Sequence, residues 1–153
     1  MQASMPGKGI PMAVGSWVRA KWMLLCLCVL ALAGCASAGH NMNGLDRNQY
    51  AYSAAIRWGD FEGAWMLVDP AYREAHPMSD LELERYKQIQ IAGYRDMATQ
   101  TLPDGDVVRE IQIEIVNRHT LTQRSTRYTE RWHYDPATKT WWLAVGLPDF
   151  FDE

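Results

Sequence analysis

The sequence predicts an α+β domain in which N-terminal helices pack on a four-stranded, bent antiparallel meander sheet. Between positions 44 and 85, apolar residues recur three and four apart, which is the spacing of one helix face. From Tyr86 onward the apolar residues recur every second position, as they do in strands. Turn sequences divide this second half into segments, and short turns force neighbouring strands to pair antiparallel.

A separate segment precedes this domain. Arg19 and Lys21 stand before an apolar run, Trp22–Ala33, of 12 residues. A membrane-spanning helix needs about 20 apolar residues, so the run is too short to span a bilayer. A basic flank, a short apolar run and small residues at its end are the marks of a secretory signal. Met12 offers an alternative translation start to Met1.

The end of this run, Leu32-Ala33-Gly34-Cys35, resembles the lipobox of a bacterial lipoprotein precursor. The resemblance implies cleavage before Cys35, which then carries the lipid anchor of the mature protein. Two or three acyl chains anchor stably where one does not. Ala36 in place of an acidic residue implies the outer membrane, with the domain facing the periplasm. The alternative is an ordinary signal peptide that is cut after Ala36 or Ala38.

The predicted organisation is a signal peptide over residues 1–34, a lipidated cysteine and flexible tether over 35–43, and one domain over 44–153. Three of the 15 Lys and Arg residues precede Cys35, whereas all 18 acidic residues follow it. The part after Cys35 is therefore acidic, which disfavours binding to nucleic acid. All three cysteines lie at or before position 35, so the domain has no thiol for a disulfide.

Four helical segments are predicted. The first runs from an N-cap at Asn43 to Gly59, and its aromatic stripe is expected to form core; the members of its apolar face are Tyr50, Tyr52, Ala54, Ile56 and Trp58. Asp60 caps a second helix that must stop at Asp69-Pro70. Pro70 opens a third short helix to about Ala75, and Ser79 with Glu82 predicts a capping box before a last turn over Leu81–Arg85.

Four strands are predicted at about Gln88–Leu102, Asp106–His119, Thr122–Asp135 and Thr140–Gly146. Ala92-Gly93 interrupts the first of them and predicts a bulge where the sheet bends. A four-residue loop before the last strand, Pro136–Lys139, places Trp141, Leu143 and Val145 on the apolar side of the sheet and leaves Trp142 outside and exposed. A three-residue loop would reverse these faces.

The second and third strands show complementary patterns. If their turn centres on Thr120-Leu121, paired residue numbers add up to 241. One face then pairs Glu114 with Arg127, Glu110 with Arg131 and Gln112 with Thr129, while the other face is apolar. A slip by two residues would keep the same faces.

Two charged residues, Arg109 and Glu130, break the apolar face and are diagonal neighbours in this register. A charge on such a face needs a partner or water. One interpretation is a salt bridge at the rim of the sheet. The other is a polar pair inside a pocket between sheet and helices, which is a common form of small-molecule site.

The order of elements resembles the nuclear-transport-factor-2-like superfamily, which includes SnoaL-like cyclases and ketosteroid-isomerase-like proteins; a cystatin-like arrangement is similar. The segments that carry the resemblance are Tyr52–Ile56, Gly59–Trp65, Glu130–Tyr134, Trp141–Leu143 and Leu147-Pro148. The resemblance implies a pocket carboxylate as the catalytic base in enzymes of this superfamily, and Glu130 with Tyr128 is the nearest material here. Fold alone does not establish such an activity.

No cofactor or metal is expected, because the chain has no glycine-rich phosphate loop and His119 and His133 do not pair in the proposed register. Two functions are open. The first is a non-enzymatic lipoprotein that binds a periplasmic protein, a cell-wall component or a small apolar ligand, or that forms a homodimer through the outer sheet face. The second is a lipid-anchored enzyme of the cyclase or isomerase type that uses Glu130.

Overall fold

A computed structural model describes residues 42–151 of the 153-residue chain. Cys35 and the predicted signal peptide lie outside the described residues. The helices are α1 over 42–58, α2 Phe61–Trp65, α3 Pro70–Ala75 and α4 Asp80–Lys87. The strands are β1 Ile89–Thr101, β2 Val107–Asn117, β3 Gln123–Asp135 and β4 Thr140–Leu143.

The four strands form one antiparallel sheet in the order β1-β2-β3-β4, which confirms the α+β class and the meander. One face of this sheet carries most of the buried apolar side chains, and together with residues of α1 and α2 they form the core. Its largest fully buried members include Trp132, Tyr52, Phe61, Phe150 and Leu45.

Helix α1 differs from the prediction at its exposed side and at its start. Tyr52 and Ile56 are 0% exposed, as expected of core residues, but Tyr50 is 74% and Trp58 87% exposed. A step of two residues turns a helix by about 200°, so the stripe that contains Tyr50 and Trp58 points away from the core. The expectation that the whole stripe is core was therefore wrong. Residues 42 and 43 already lie in the helix, so Asn43 is not its N-cap.

The caps of the short helices were predicted correctly. The Asp60 carboxylate accepts from the Gly63 amide at 2.8 Å and begins α2. This helix ends at Trp65, earlier than expected, because Leu67 and Asp69 form backbone hydrogen bonds with Leu143 of β4. Helix α3 has the predicted bounds, and α4 continues past the predicted turn to Lys87.

The predicted capping box of α4 is present, with the Ser79 hydroxyl accepting from the Glu82 amide at 3.2 Å and the Ser79 amide donating to the Glu82 carboxylate at 2.8 Å. The second bond lowers the pKa of Glu82. We expect Ser79→Ala to reduce the free energy of unfolding by about 1 kcal/mol, measured by urea titration, because it removes the cap of a solvent-exposed helix. Ser53→Ala, inside α1, is the matched control: its hydroxyl only bonds back to the Tyr50 carbonyl. Equal effects of the two variants would contradict the cap's importance.

The register of β2 and β3 differs from the prediction by two residues. Glu110 faces Thr129, Gln112 faces Arg127 and Glu114 faces Ser125, so paired numbers add up to 239. The turn begins earlier than expected, because the Asn117 side chain accepts from the amides of the next turn residues and Leu121 takes a positive φ of 57°. The slip keeps both faces, so the core side was predicted correctly although the charge pairs were not.

The bulge at Gly93 and the loop before β4 agree with the sequence, whereas β4 ends at Leu143 rather than at the predicted Gly146. The register of β1 against β2 shifts between Ile91 and Gly93, where the bulge was predicted, and shifts a second time between Asp96 and Ala98. Asp135 pairs with Thr140, which leaves the predicted four-residue loop. Trp141 and Leu143 are buried, whereas Trp142 lies on the outer face and is partly buried rather than exposed.

Candidate functional site

Glu130 lies near the middle of the core face of β3, and its side chain is 0% exposed. Its Oε1 accepts from the Tyr94 hydroxyl. Its Oε2 accepts from Trp132 Nε1 at 2.7 Å and from Arg109 Nη1 at 3.2 Å. Both carboxylate oxygens are therefore bonded inside the protein, as a buried charge requires.

Arg109 connects this buried carboxylate to the surface. Its side chain is 11% exposed, and it bonds Glu130 on one side and Asp96 of β1 at 2.8 Å on the other. In the observed register Arg109 and Glu130 are directly opposite one another rather than diagonal. The structure thus brings together the two residues that the sequence singled out, and adds Asp96, which is 42% exposed.

Burial of Glu130 acts against its ionisation, while its three donors act in favour of it. Burial raises the pKa of Glu130 from its ordinary value of 4.5, and the opposing effects of Arg109, Tyr94 and Trp132 are smaller. Burial likewise raises the pKa of Tyr94, and the nearby Glu130 raises it further. Tyr94 therefore keeps its proton and remains a donor to Glu130.

Tyr128, the other residue proposed from the sequence, does not hydrogen-bond Glu130. Its hydroxyl donates to the Gly146 carbonyl at 2.6 Å and accepts from the Tyr52 hydroxyl at 3.1 Å. Burial raises its pKa well above the ordinary value. The tyrosine that donates a hydrogen bond to Glu130 is Tyr94, which the sequence did not indicate.

Tyr94 and Trp132 could have been found only in part from the sequence. Trp132 is two positions from Glu130 on one strand and so shares its face. Tyr94 follows the bulge in β1, and a bulge changes which residues face the core. The side of the sheet that Tyr94 faces cannot be predicted without knowing where the register of β1 shifts.

The Glu130 side chain is enclosed by its neighbours. Four depressions in the surface of residues 42–151 have volumes of about 350, 460, 230 and 250 Å³, and Glu130 lines none of these four. A substrate that is to reach the carboxylate must displace Tyr94, Trp132 or Arg109. The arrangement as it stands is that of a buried structural ion pair.

The outer face of the sheet is largely polar. Arg95 pairs with Glu114 at 3.0 Å, and Gln112 bonds Ser125 at 3.0 Å. Arg131 forms ion pairs with Asp104 and Asp106 in the β1–β2 turn. A dimer that is driven by apolar burial through this face would have to cover these groups.

Within residues 42–151, no group of three or more His, Cys, Asp or Glu side chains is arranged to hold a metal ion. In the same part of the chain, no helix has the length and apolarity that crossing a membrane requires. Comparison with known protein families, curated proteins and solved structures gives no match to this chain.

Proposed function

We propose that this chain is an outer-membrane lipoprotein whose small periplasmic domain has a non-enzymatic binding or scaffold role. The observation that carries the non-enzymatic part is the complete enclosure of Glu130, whose two oxygens are bonded by three internal donors. A general base must reach the proton that it abstracts, so a sealed carboxylate is poorly placed for that task.

We further propose the nuclear-transport-factor-2-like fold rather than the cystatin-like one. Several helices precede the meander here, whereas a cystatin-like arrangement places one helix on the sheet. The bulge at Ile91 and Gly93 bends β1, and Tyr52 of α1 lies edge-on to Trp132 at 5.8 Å between ring centroids. The first helix thus packs against the apolar face of the bent sheet.

The localisation rests on the segment before the domain. The short apolar run, its basic flank and Leu32-Ala33-Gly34-Cys35 support a lipid anchor on Cys35, and Ala36 supports the outer membrane.

A second function is a lipid-anchored cyclase-like or isomerase-like enzyme. The observation in its favour is the raised pKa of Glu130, since perturbed carboxyl groups often occur at functional sites. Structural ion pairs also perturb pKa values, and the close packing around Glu130 favours that explanation. We therefore rank the enzyme second.

The intact mass of the protein extracted from membranes tests the anchor. The expected mass is that of a chain beginning at Cys35 with added acyl chains, and Cys35→Ala should abolish both the modification and the membrane association. Cys28→Ala is the matched control, because it changes another leader cysteine that the proposal leaves unmodified. A soluble, unmodified product cut after Ala38 would overturn the lipoprotein proposal.

A further inference from the structure

The two most exposed aromatic residues of α1 border one groove. Tyr50 and Trp58, 74% and 87% exposed, line a depression of about 350 Å³ between α1 and β1. We call it the α1–β1 groove; its lining also contains Ala54, Arg57, Ile91, Ala92, Gly93 and Tyr94. Exposed apolar side chains that border one groove, rather than being scattered singly, are a feature of ligand-binding surfaces.

The spacing of these rings favours an elongated ligand. Trp58 lies eight positions after Tyr50, which is about 12 Å along a helix that rises about 1.5 Å per residue. Between them the groove is lined by small residues such as Ala54, Ala92 and Gly93, which let a flat surface approach closely. A ligand that contacts both aromatic rings therefore has to be elongated, and a chain of several sugar rings has this length.

Arg57 gives the groove a positive charge. Its Nη2 donates to the Tyr94 carbonyl at 3.1 Å, and its guanidinium carbon lies 5.3 Å from the centre of the Tyr94 ring. Among residues 42–151, no carboxylate pairs with Arg57, and the lining contains no acidic residue. The Glu114 carboxylate lies beside Gly93 of this lining, and it is paired with Arg95 at 3.0 Å.

The same hydrogen bond disfavours an extended peptide as the occupant. β1 is an edge strand, and a peptide could in principle add to its free edge. The Tyr94 carbonyl of this strand already accepts from Arg57 Nη2 at 3.1 Å. A peptide that added to β1 at the groove would have to compete with this bond for the Tyr94 carbonyl.

We propose that the α1–β1 groove binds a glycan chain that carries carboxylates. Sugar rings have apolar faces that stack on aromatic rings and polar edges that stay in water, which suits an open groove with aromatic walls. Arg57 binds a carboxylate of the chain. This inference rests on the proposed binding role and names the class of ligand. If the groove binds no glycan, the proposed lipid anchor on Cys35 is unaffected.

Titration calorimetry of the full chain in mild detergent tests the inference. Two probes are compared: tetragalacturonate, which carries a carboxylate on each ring, and the neutral N-acetylchitotetraose. The unmodified protein should bind tetragalacturonate, and bind it more tightly than the neutral probe. Arg57→Gln should weaken tetragalacturonate binding and remove the preference.

Trp58→Ala should raise the Kd for tetragalacturonate roughly tenfold, the change that about 1.4 kcal/mol produces. Leu81→Ala is the matched control, because Leu81 is 73% exposed on α4 and does not line the groove. Urea titration of both variants should show unchanged folding, since both side chains face solvent.

Three results would overturn the inference. They are absence of tetragalacturonate binding at millimolar concentration, equal binding of the two probes, and equal affinity of Trp58→Ala and the unmodified protein. Sedimentation supplies a further check: self-association that Trp58→Ala abolishes would assign the groove to a second copy of the chain. The mass measurement on Cys35 is independent of all these outcomes.

Discussion

Replacing Arg109 with methionine should lower the free energy of unfolding by about 3 kcal/mol, because it leaves the buried Glu130 carboxylate without its cation. Glu130 is fully enclosed, and Arg109 is the basic residue that pairs with it at 3.2 Å. Methionine replaces most of the arginine side chain with apolar atoms. The decrease in the free energy of unfolding therefore comes from the lost charge rather than from lost volume. Urea unfolding of the variant and the unmodified protein at pH 7 measures the difference.

Arg131→Met is the matched control. It is the same substitution at the position that follows Glu130 on β3. Arg131, however, is 46% exposed, and its ion pairs with Asp104 and Asp106 face solvent. Exposed pairs contribute little, so this variant should unfold close to the unmodified protein. Equal losses for the two variants would show that burial of the pair is not what matters.

A second change should restore stability to Arg109→Met. With Glu130→Gln added, the uncompensated charge is gone. The glutamine carbonyl can accept from Trp132, while its amide can donate to the Tyr94 hydroxyl. Recovery of most of the loss is expected, and a further loss in the double variant would contradict an uncompensated charge as the cause.

The titration of Glu130 makes the free energy of unfolding depend on pH. Its pKa in the folded protein is raised above the ordinary value of 4.5, so the folded state holds the proton more tightly than the unfolded state. The stability that this group contributes is complete below pH 4.5 and is lost as the pH rises through the raised pKa. The stability of the unmodified protein relative to Glu130→Gln, measured by urea titration from pH 4 to 7, should therefore fall. A rise would mean that Arg109 outweighs burial.

Phe150→Ala should cost about 3 kcal/mol, the usual range for emptying a buried aromatic site. The Phe150 ring is 2% exposed and lies 6.3 Å from the Phe61 ring and 6.0 Å from the Tyr86 ring, between centroids. The segment that carries it is held by side-chain donors, since Tyr86 bonds the Pro148 carbonyl and Arg124 the Phe150 carbonyl. Urea unfolding again measures the loss.

The adjacent residue supplies the control for the tail. Phe151 is only partly buried, with its ring beneath the Arg85 guanidinium at 4.3 Å. Phe151→Ala should therefore cost clearly less than Phe150→Ala. Losses of similar size would indicate that the tail packs as a loose apolar patch rather than through one inserted ring.

Local signals in the sequence were sufficient for the elements. The Asp60 cap, the Ser79 and Glu82 capping box, the bulge at Gly93 and the four-residue loop before β4 all act within a few residues, so their chemistry can be read directly. Alternation likewise assigned the faces of β2 and β3. A two-residue slip preserves that alternation, which is why the faces were predicted correctly while the exact pairs were not.

The sequence by itself thus determined the fold class, the capped helices and the presence of two charges on the apolar face. Tertiary structure alone decided which side of α1 is covered, that Tyr94 and Trp132 bond Glu130, and that Phe150 enters the core. These outcomes depend on contacts between segments far apart in the chain. No local spacing encodes them, because the free energy of such contacts arises only when the sheet and helices have come together.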